Sequence, residues 1–182
     1  MAETMAGCII NSREDLARYF AELGFKVGAE IGVLRGDYSE VLCGANPGVK
    51  LFCIDSWGIG ENRRREYHLG MYERAKIKLS LYNTKLIYKL SMEAIKEFED
   101  ESLDFVYIDA NHSSEFVRED VWGWSKKVRK GGIVSGHDYN LFRIAEIVDE
   151  YVKSNGFNLR VTNRGYEALS WWFMKELTDK SM

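Results

Sequence analysis

The stretch that decides the fold of this 182-residue chain is Leu103-Asp104-Phe105-Val106-Tyr107-Ile108-Asp109. It is an almost continuous apolar run that ends at a carboxylate, and residues 114–128 after it have the pattern of a helix. A run of this kind predicts a strand of a parallel sheet that helices cover on both faces. Because such sheets bind ligands at the carboxyl ends of their strands, Asp109 lies where a site is expected.

The same alternation of short apolar runs and longer amphipathic segments extends outward along the chain. Further strands are predicted at residues 26–31, 50–54, 85–88, 133–135, 157–162 and 168–174. Further helices are predicted at residues 12–23, 37–43, 61–82, 92–98 and 141–154. Only five residues separate the last two strands, too few for a parallel crossover, so an antiparallel hairpin is expected. The predicted fold class is α/β, a doubly wound sheet of about seven strands, mostly parallel, with an antiparallel C-terminal hairpin.

Composition narrows the class of protein and of partner. Lys and Arg number 25 against 28 Asp and Glu, a net charge of −3, which makes nucleic acid a poor candidate partner. No 18 apolar residues run together, and residues 1–11 lack the features of a signal peptide, so neither a membrane span nor export is expected. Cys8, Cys43 and Cys53 form no CxxC pair and favour a reducing compartment, the cytoplasm. The length fits one domain over residues 1–182.

A glycine-containing segment, Glu30-Ile31-Gly32-Val33-Leu34-Arg35-Gly36, lies at the first predicted strand-to-helix junction. Glycines there let the backbone turn sharply and approach a ligand closely. The spacing is not GxGxxG, and the Glu30 carboxylate would repel a pyrophosphate, so a nicotinamide-dependent oxidoreductase is disfavoured. Glu30 suits a cationic group instead. Asp55 ends the next strand, 25 residues later, where a carboxylate can accept hydrogen bonds from ribose hydroxyls.

Polar side chains also follow the two neighbouring strands that end near residues 108 and 135. Asp109 is followed three residues later by His112, and His137 and Asp138 end the next strand. Asp109, His137 and Asp138 are expected to converge at one edge of the sheet. Their oxygen ligands suit Mg²⁺, and the imidazole makes Mn²⁺, Fe²⁺ or Zn²⁺ plausible as well.

The pattern Glu30-x-Gly32-x-x-x-Gly36 followed by Asp55 resembles the class I S-adenosylmethionine-dependent methyltransferases, which have a Rossmann-like fold. Over residues 27–139 the chain is similar to their metal-dependent O-methyltransferases of the catechol and macrocin types. The resemblance implies cofactor contacts at Glu30, Gly32, Gly36, Ser39, Asp55, Trp57, Ser91 and Met92. In it, the glutamate-glycine loop holds the methionine part, Asp55 the ribose, and Ser91 and Met92 the adenine. Residues 1–25 then form an N-terminal helix, 26–139 the cofactor and catalytic core, and 140–182 a C-terminal helix and hairpin.

The resemblance also implies roles for the second cluster. Asp109, His137 and Asp138 stand where that family binds a divalent metal, Mg²⁺ or Mn²⁺, although His137-Asp138 replaces the Asp-Asn pair of the catechol enzymes. This departure leaves Asp138 as a candidate ligand and leaves three roles open for His137: metal ligand, hydrogen-bond partner of a ligand, or substrate contact. His112 stands where the catechol enzymes have their lysine base, and an imidazole can accept a hydroxyl proton near neutral pH. The implied activity is methyl transfer to a hydroxyl of a small molecule: a sugar, a natural product or a catechol. A nonenzymatic cofactor-binding domain of the same fold stays open as an alternative.

Two features remain without a settled role. Arg63-Arg64-Arg65 is either a solvated helix face or a lid that contacts an anionic substrate. In Trp171-Trp172, the two-residue period of a strand turns one tryptophan away from the other. An outward tryptophan marks either an oligomer contact or a pocket wall. Because a single helix before the first strand leaves little material to cover the site, a homodimer that completes the site is one of the expected arrangements.

Overall fold

The computed structural model describes residues 10–60, 64–163 and 168–175. In these residues, a seven-stranded sheet has the order β3-β2-β1-β4-β5-β7-β6. The strands are β1 (Val27–Ile31), β2 (Lys50–Asp55), β3 (Thr84–Tyr88), β4 (Leu103–Ile108), β5 (Val128–Gly136), β6 (Arg160–Val161) and β7 (Trp171–Met174). The helices are α1 (Arg13–Glu22), α2 (Asp37–Ala45), α3 (Arg65–Leu79), α4 (Ser91–Ala94, continued by a 3₁₀ turn, Ile95–Glu97), α5 (Ser114–Lys127) and α6 (Ile144–Asn155). None of the helices described is long and apolar enough to cross a membrane.

Strand pairing confirms the predicted fold class. The first five strands pair in parallel, and β7 runs antiparallel to both β5 and β6. The turn predicted between the last two strands falls largely on residues 164–167, outside the described residues. The two strands are shorter than predicted, since only Arg160–Val161 and Trp171–Met174 make ladder hydrogen bonds.

Helices cover the sheet on both faces, so alternate residues of a strand enter different cores. Val106 and Trp171 pack on the face that α4, α5 and α6 cover, whereas Phe105 and Trp172 pack on the face covered by α1, α2 and α3. The expectation of an outward tryptophan is therefore wrong. Trp172 is buried because the ring of Tyr19 from α1 lies 5.5 Å from it, and no exposed tryptophan is left to argue for a homodimer.

Three boundaries differ from the prediction for identifiable reasons. Gly131-Gly132 lies inside β5, in an irregularity where four residues of β5 (129–132) stand opposite the single residue Asp104 of β4. Glycine suits this place because Gly131 has a φ of 75° and a Cβ on Gly132 would overlap the Asp104 carbonyl oxygen. Helix α6 begins at Ile144 instead of residue 141, since Phe142 and Arg143 have left-handed backbones with φ of 51° and 61°. Helix α3 begins at Arg65, whose side chain is exposed, instead of at residue 61. Residues 61–63, which include the first arginine of Arg63-Arg64-Arg65, lie outside the described residues.

Candidate functional site

A cavity of about 890 Å³ lies at the carboxyl ends of β1, β2 and β4. Seven of the residues predicted for the site line it: Glu30, Gly32, Asp55, Ser91, Met92, Asp109 and His112. Its volume is in the range of cofactor and drug-sized ligand sites. The sheet thus brings most of the predicted residues to one place, as expected for a doubly wound fold.

The loop between β1 and α2 forms the floor of this cavity. Gly32 has a φ of 94°, and a Cβ there would overlap the carbonyl oxygen of Asp109, so the loop can pass β4 only with glycine at this position. The Asp55 carboxylate fixes the loop from the side. It accepts hydrogen bonds from the backbone N–H groups of Val33 at 2.9 Å, Leu34 at 2.8 Å and Trp57 at 2.7 Å.

Glu30 is a buried carboxyl group, with 2% of its surface exposed. Burial raises its pKa to about 8, and the charges of Asp109 and Asp55 add to the rise, against a hydrogen bond donated by Ser39 Oγ. The side chain is therefore mostly protonated at pH 7 in the ligand-free chain. A carboxyl group in such a state gains strongly from a cationic ligand.

A hydrogen-bonded chain lies at the opposite end of the cavity. Trp124 Nε1 donates to Ser91 Oγ at 2.8 Å, and Ser91 Oγ donates to Asp120. Burial raises the pKa of Asp120 to about 6, opposed by the Ser91 hydrogen bond, and this carboxylate lines the cavity. Asp120 is absent from the predicted site. The sequence feature that could have identified Asp120 is a carboxylate on the apolar face of α5, between Val117 and Trp124.

At the mouth of the cavity, the structure brings together the predicted metal ligands. Donor atoms of Asp109, His137 and Asp138 lie within 4.8 Å of one another. His137 Nδ1 is 3.2 Å from Asp138 Oδ1 and 3.7 Å from Asp109 Oδ2. Asp138 has a left-handed backbone, with a φ of 57°, which turns it back toward β4.

His112 lies against the same carboxylates. Its Nε2 is 2.8 Å from Asp138 Oδ2 and 3.7 Å from Asp109 Oδ1, and its ring stacks on Phe142 with centroids 4.8 Å apart. The interaction with Asp109 and the charge of Asp138 raise the pKa of His112, against partial burial. Nε2 is buried yet makes no well-directed hydrogen bond in the described chain.

Three predicted cofactor residues do not line the cavity. Gly36 precedes α2 with a φ of 81°. Ser39 contacts the site only through Glu30, to whose carboxyl group it donates a hydrogen bond. Trp57 is in the core: its Nε1 donates to the Leu34 carbonyl at 2.7 Å, and its ring packs on Tyr72 and Tyr88. The structure therefore gives Trp57 a packing position, because the loop after Asp55 folds under the cavity.

Comparison with known protein families decides what this site belongs to. A family model described as a methyltransferase domain matches residues 29–139, more than half of the chain. The chain belongs to this methyltransferase family. This match confirms the predicted resemblance to methyltransferases. Among curated proteins, this chain is 24% identical to the uncharacterized protein y4gI of Sinorhizobium fredii over 115 residues. These residues are 62% of this chain but only 12% of that protein, so the chain spans a small part of that relative.

Solved structures share the fold of the methyltransferase at low sequence identity. An O-methyltransferase from Bacillus cereus, in complex with SAH, has a TM-score of 0.67 and 15% identity over 93% of this chain and 84% of its own. TomG from Streptomyces achromogenes, in complex with SAM, has a TM-score of 0.65 and 16% identity over 90% and 79%. An rRNA methylase from Streptococcus thermophilus also reaches 0.67, at 15% identity over 93% and 99%. These likenesses establish the fold.

Replacing Glu30 by glutamine should stabilise the ligand-free methyltransferase. At pH 7 the carboxyl is mostly protonated in the folded chain, where its pKa is about 8, but ionised in the unfolded chain. That difference in pKa between the folded and unfolded chain lowers the free energy of unfolding by about 3 kcal/mol at pH 7. The expected gain in the free energy of unfolding for Glu30→Gln is absent below pH 4.5, grows between pH 4.5 and pH 8, and is constant above pH 8. Thermal unfolding at pH 4, 6 and 8 checks it, and an equal gain at all three values would contradict the assigned cause.

Proposed function

We propose that this methyltransferase transfers a methyl group to a hydroxyl oxygen of a small molecule, with a divalent metal at Asp109, His137 and Asp138 and with His112 as the base. One observation carries the proposal: two carboxylates and two imidazoles converge at the mouth of a cavity whose inner wall holds Glu30 and Asp55. The net charge of −3 also favours a small acceptor over nucleic acid. The buried free thiols of Cys43 and Cys53 fit a cytoplasmic enzyme.

The inner cavity suits the methyl donor. Glu30 would bind the α-ammonium group of S-adenosylmethionine and give up its proton in doing so. A carboxylate has about four lone-pair positions, and three of those on Asp55 already accept backbone N–H groups. Asp55 thus has room for one ribose hydroxyl, fewer than a free carboxylate would bind. Ser91, Met92 and Asp120 would surround the adenine end.

The cluster at the mouth fits a divalent cation. Carboxylate oxygens and one imidazole are a donor set for Mg²⁺ or Mn²⁺, and a metal there would compensate the negative charge that Asp109 and Asp138 concentrate. The buried, poorly hydrogen-bonded Nε2 of His112 adds a polar atom directed at this position. Such a cation would lower the pKa of a hydroxyl bound beside it.

The chain's own residues would then complete the reaction. When bound, S-adenosylmethionine would supply an electrophilic methyl group on a sulfonium, whose sulfur would leave as the thioether of S-adenosylhomocysteine once the hydroxyl oxygen takes the methyl group. A hydroxyl held between Asp109 and Asp138 lies within reach of His112 Nε2, which would accept its proton. The protein's further contribution is to keep the two reacting atoms near attack distance.

Cofactor binding by Asp55 variants tests the donor half of this proposal. Asp55→Asn should weaken S-adenosylhomocysteine binding at least tenfold, since it removes a charge-assisted ribose bond and loosens the loop that Asp55 holds. Isothermal titration measures it, with Asp100→Asn, on the exposed surface, as the control that should bind like the wild type. NAD⁺ should not bind to either protein. Affinity of Asp55→Asn within twofold of the wild type would remove Asp55 from the site.

A further inference from the structure

A second cavity, of about 360 Å³, lies on the other side of the metal-ligand cluster. Its walls come from residues at the start of α1, from His137 after β5, and from residues between β6 and β7. The polar residues that line it are Asn11, Ser12, Arg13, Glu14, His137, Thr162 and Ser170. The proposed function gives no role to any of these except His137.

This second cavity meets the cofactor cavity at two places. Arg13 lines both cavities, with its guanidinium carbon 5.1 Å from the centroid of the Tyr38 ring. His137 lines only the second cavity, while Asp109, 3.7 Å from His137 Nδ1, lines the cofactor cavity. The metal-ligand cluster therefore stands between the two cavities. A molecule in the second cavity would reach the cluster from the side opposite the methyl donor.

One wall of the second cavity holds opposite charges side by side. Arg13 Nε is 3.6 Å from Glu14 Oε1. Partial burial raises the pKa of Glu14, but hydrogen bonds from its own backbone N–H and from the Ser12 hydroxyl, with the Arg13 charge, bring it below its usual value. A guanidinium donates and a carboxylate accepts, so the pair matches adjacent hydroxyls, which do both. Because the pair carries no net charge, it gives neither an anionic nor a cationic ligand an advantage over a neutral one.

The facing wall offers hydroxyl groups held in fixed orientations. Thr162 Oγ1 accepts the backbone N–H of Ser170 at 2.9 Å and donates to the Ser170 carbonyl at 3.3 Å, and Ser170 Oγ lies 2.9 Å from the Tyr107 hydroxyl. Each hydroxyl oxygen therefore remains for a ligand chiefly as an acceptor. Both residues are buried, so their orientations are set by the protein and not by solvent. Fixed hydroxyls on one side and an Arg–Glu pair on the other make a site for a neutral ligand rich in hydrogen bonds.

We propose that the second cavity is the acceptor site and that it takes a neutral polyhydroxylated compound, a sugar or a polyol, in preference to a flat catechol. This inference rests on the proposed function and deepens it by assigning the side from which the hydroxyl arrives. The reactive hydroxyl extends past His137 toward the cluster, and the remaining hydroxyls contact Arg13 and Glu14.

Saturation-transfer NMR on the full chain loaded with S-adenosylhomocysteine tests the proposal. The probes are myo-inositol, a panel of methyl hexosides and pentosides, and catechol, which is also neutral, each at millimolar concentration. Polyhydroxylated probes should receive saturation, and Ala168→Trp, which fills the cavity, should reduce it at least fivefold. Glu14→Gln, which keeps the size but removes the charge, should reduce it by a smaller factor. Lys153→Trp, on the exposed surface of α6, should leave it unchanged.

Two measurements separate this inference from the proposed function. If S-adenosylhomocysteine does not bind the wild type, the proposed function itself fails. If S-adenosylhomocysteine binds equally to the wild type and to Ala168→Trp, the donor site is intact, and only the second cavity is in question. In that case, absence of saturation on every polyhydroxylated probe, a signal insensitive to Ala168→Trp, or a sensitive signal on catechol alone would each overturn the acceptor assignment.

Discussion

Asp109→Asn should lose both Mn²⁺ binding and methyl transfer. Asp109 contributes a carboxylate to the cluster with His137 and Asp138, and an amide is a far weaker ligand for a divalent cation. We expect Mn²⁺ affinity to fall at least 100-fold, measured by electron paramagnetic resonance in the presence of S-adenosylhomocysteine. Methyl transfer to an acceptor that the wild type uses should fall by at least the same factor.

Chelation gives the matching result without a mutation. Removing divalent cations from the wild type should stop turnover, and added Mg²⁺ or Mn²⁺ should restore it. The exposed variant Asp100→Asn should behave like the wild type in both experiments. Full activity in excess chelator would take the metal out of the mechanism and leave a metal-free base reaction.

His112→Ala should separate proton transfer from metal binding. His112 Nε2 is directed at Asp109 and Asp138 but is not needed to complete the set with His137, so Mn²⁺ and S-adenosylhomocysteine should still bind within a few-fold. The rate of methyl transfer should fall about 10²–10⁴-fold, the usual contribution of a general base. The residual rate should rise with pH as the acceptor hydroxyl ionises unaided.

Two further variants make the result of His112→Ala specific. His112→Phe keeps an aromatic ring against Phe142 but cannot accept a proton, so it should be as slow as the alanine variant. His68→Ala, in α3, should retain the wild-type rate. A His112→Ala enzyme with full activity would contradict the base assignment and transfer that task to His137.

The sequence was sufficient for the sheet and for the residues at its edge. The apolar run of β4 predicts a covered parallel strand, and the carboxyl ends of parallel strands must share one edge. For that reason Glu30, Asp55 and Asp109 could be placed around one cavity before any contact was known. The hairpin was equally accessible, because a five-residue connection permits only antiparallel pairing.

What the sequence could not supply were the contacts between distant segments. Asp55 resembles a ribose ligand in sequence, but two backbone N–H groups of the β1–α2 loop and the N–H of Trp57 already occupy most of its carboxylate. Trp57 has a polar N–H and follows the candidate ribose ligand, yet its indole contacts the Leu34 carbonyl and two tyrosine rings in the core. Asp120 needed the fold of α4 against α5 to bring it to Ser91.

The two cavities share Arg13 but are otherwise built from different residues. The donor cavity is lined mainly by loops between β1 and α5, within the segment that the family shares. Apart from His137, the acceptor cavity is lined by residues outside that segment, at the start of α1 and beyond α6. Substitutions at Asn11, Glu14 or Ala168 can therefore alter the accepted molecule without disturbing Glu30 or the glycine loop. In evolutionary terms, a lineage with this architecture can exchange acceptors by drift in its flanking segments while the methyl-donor chemistry is inherited unchanged.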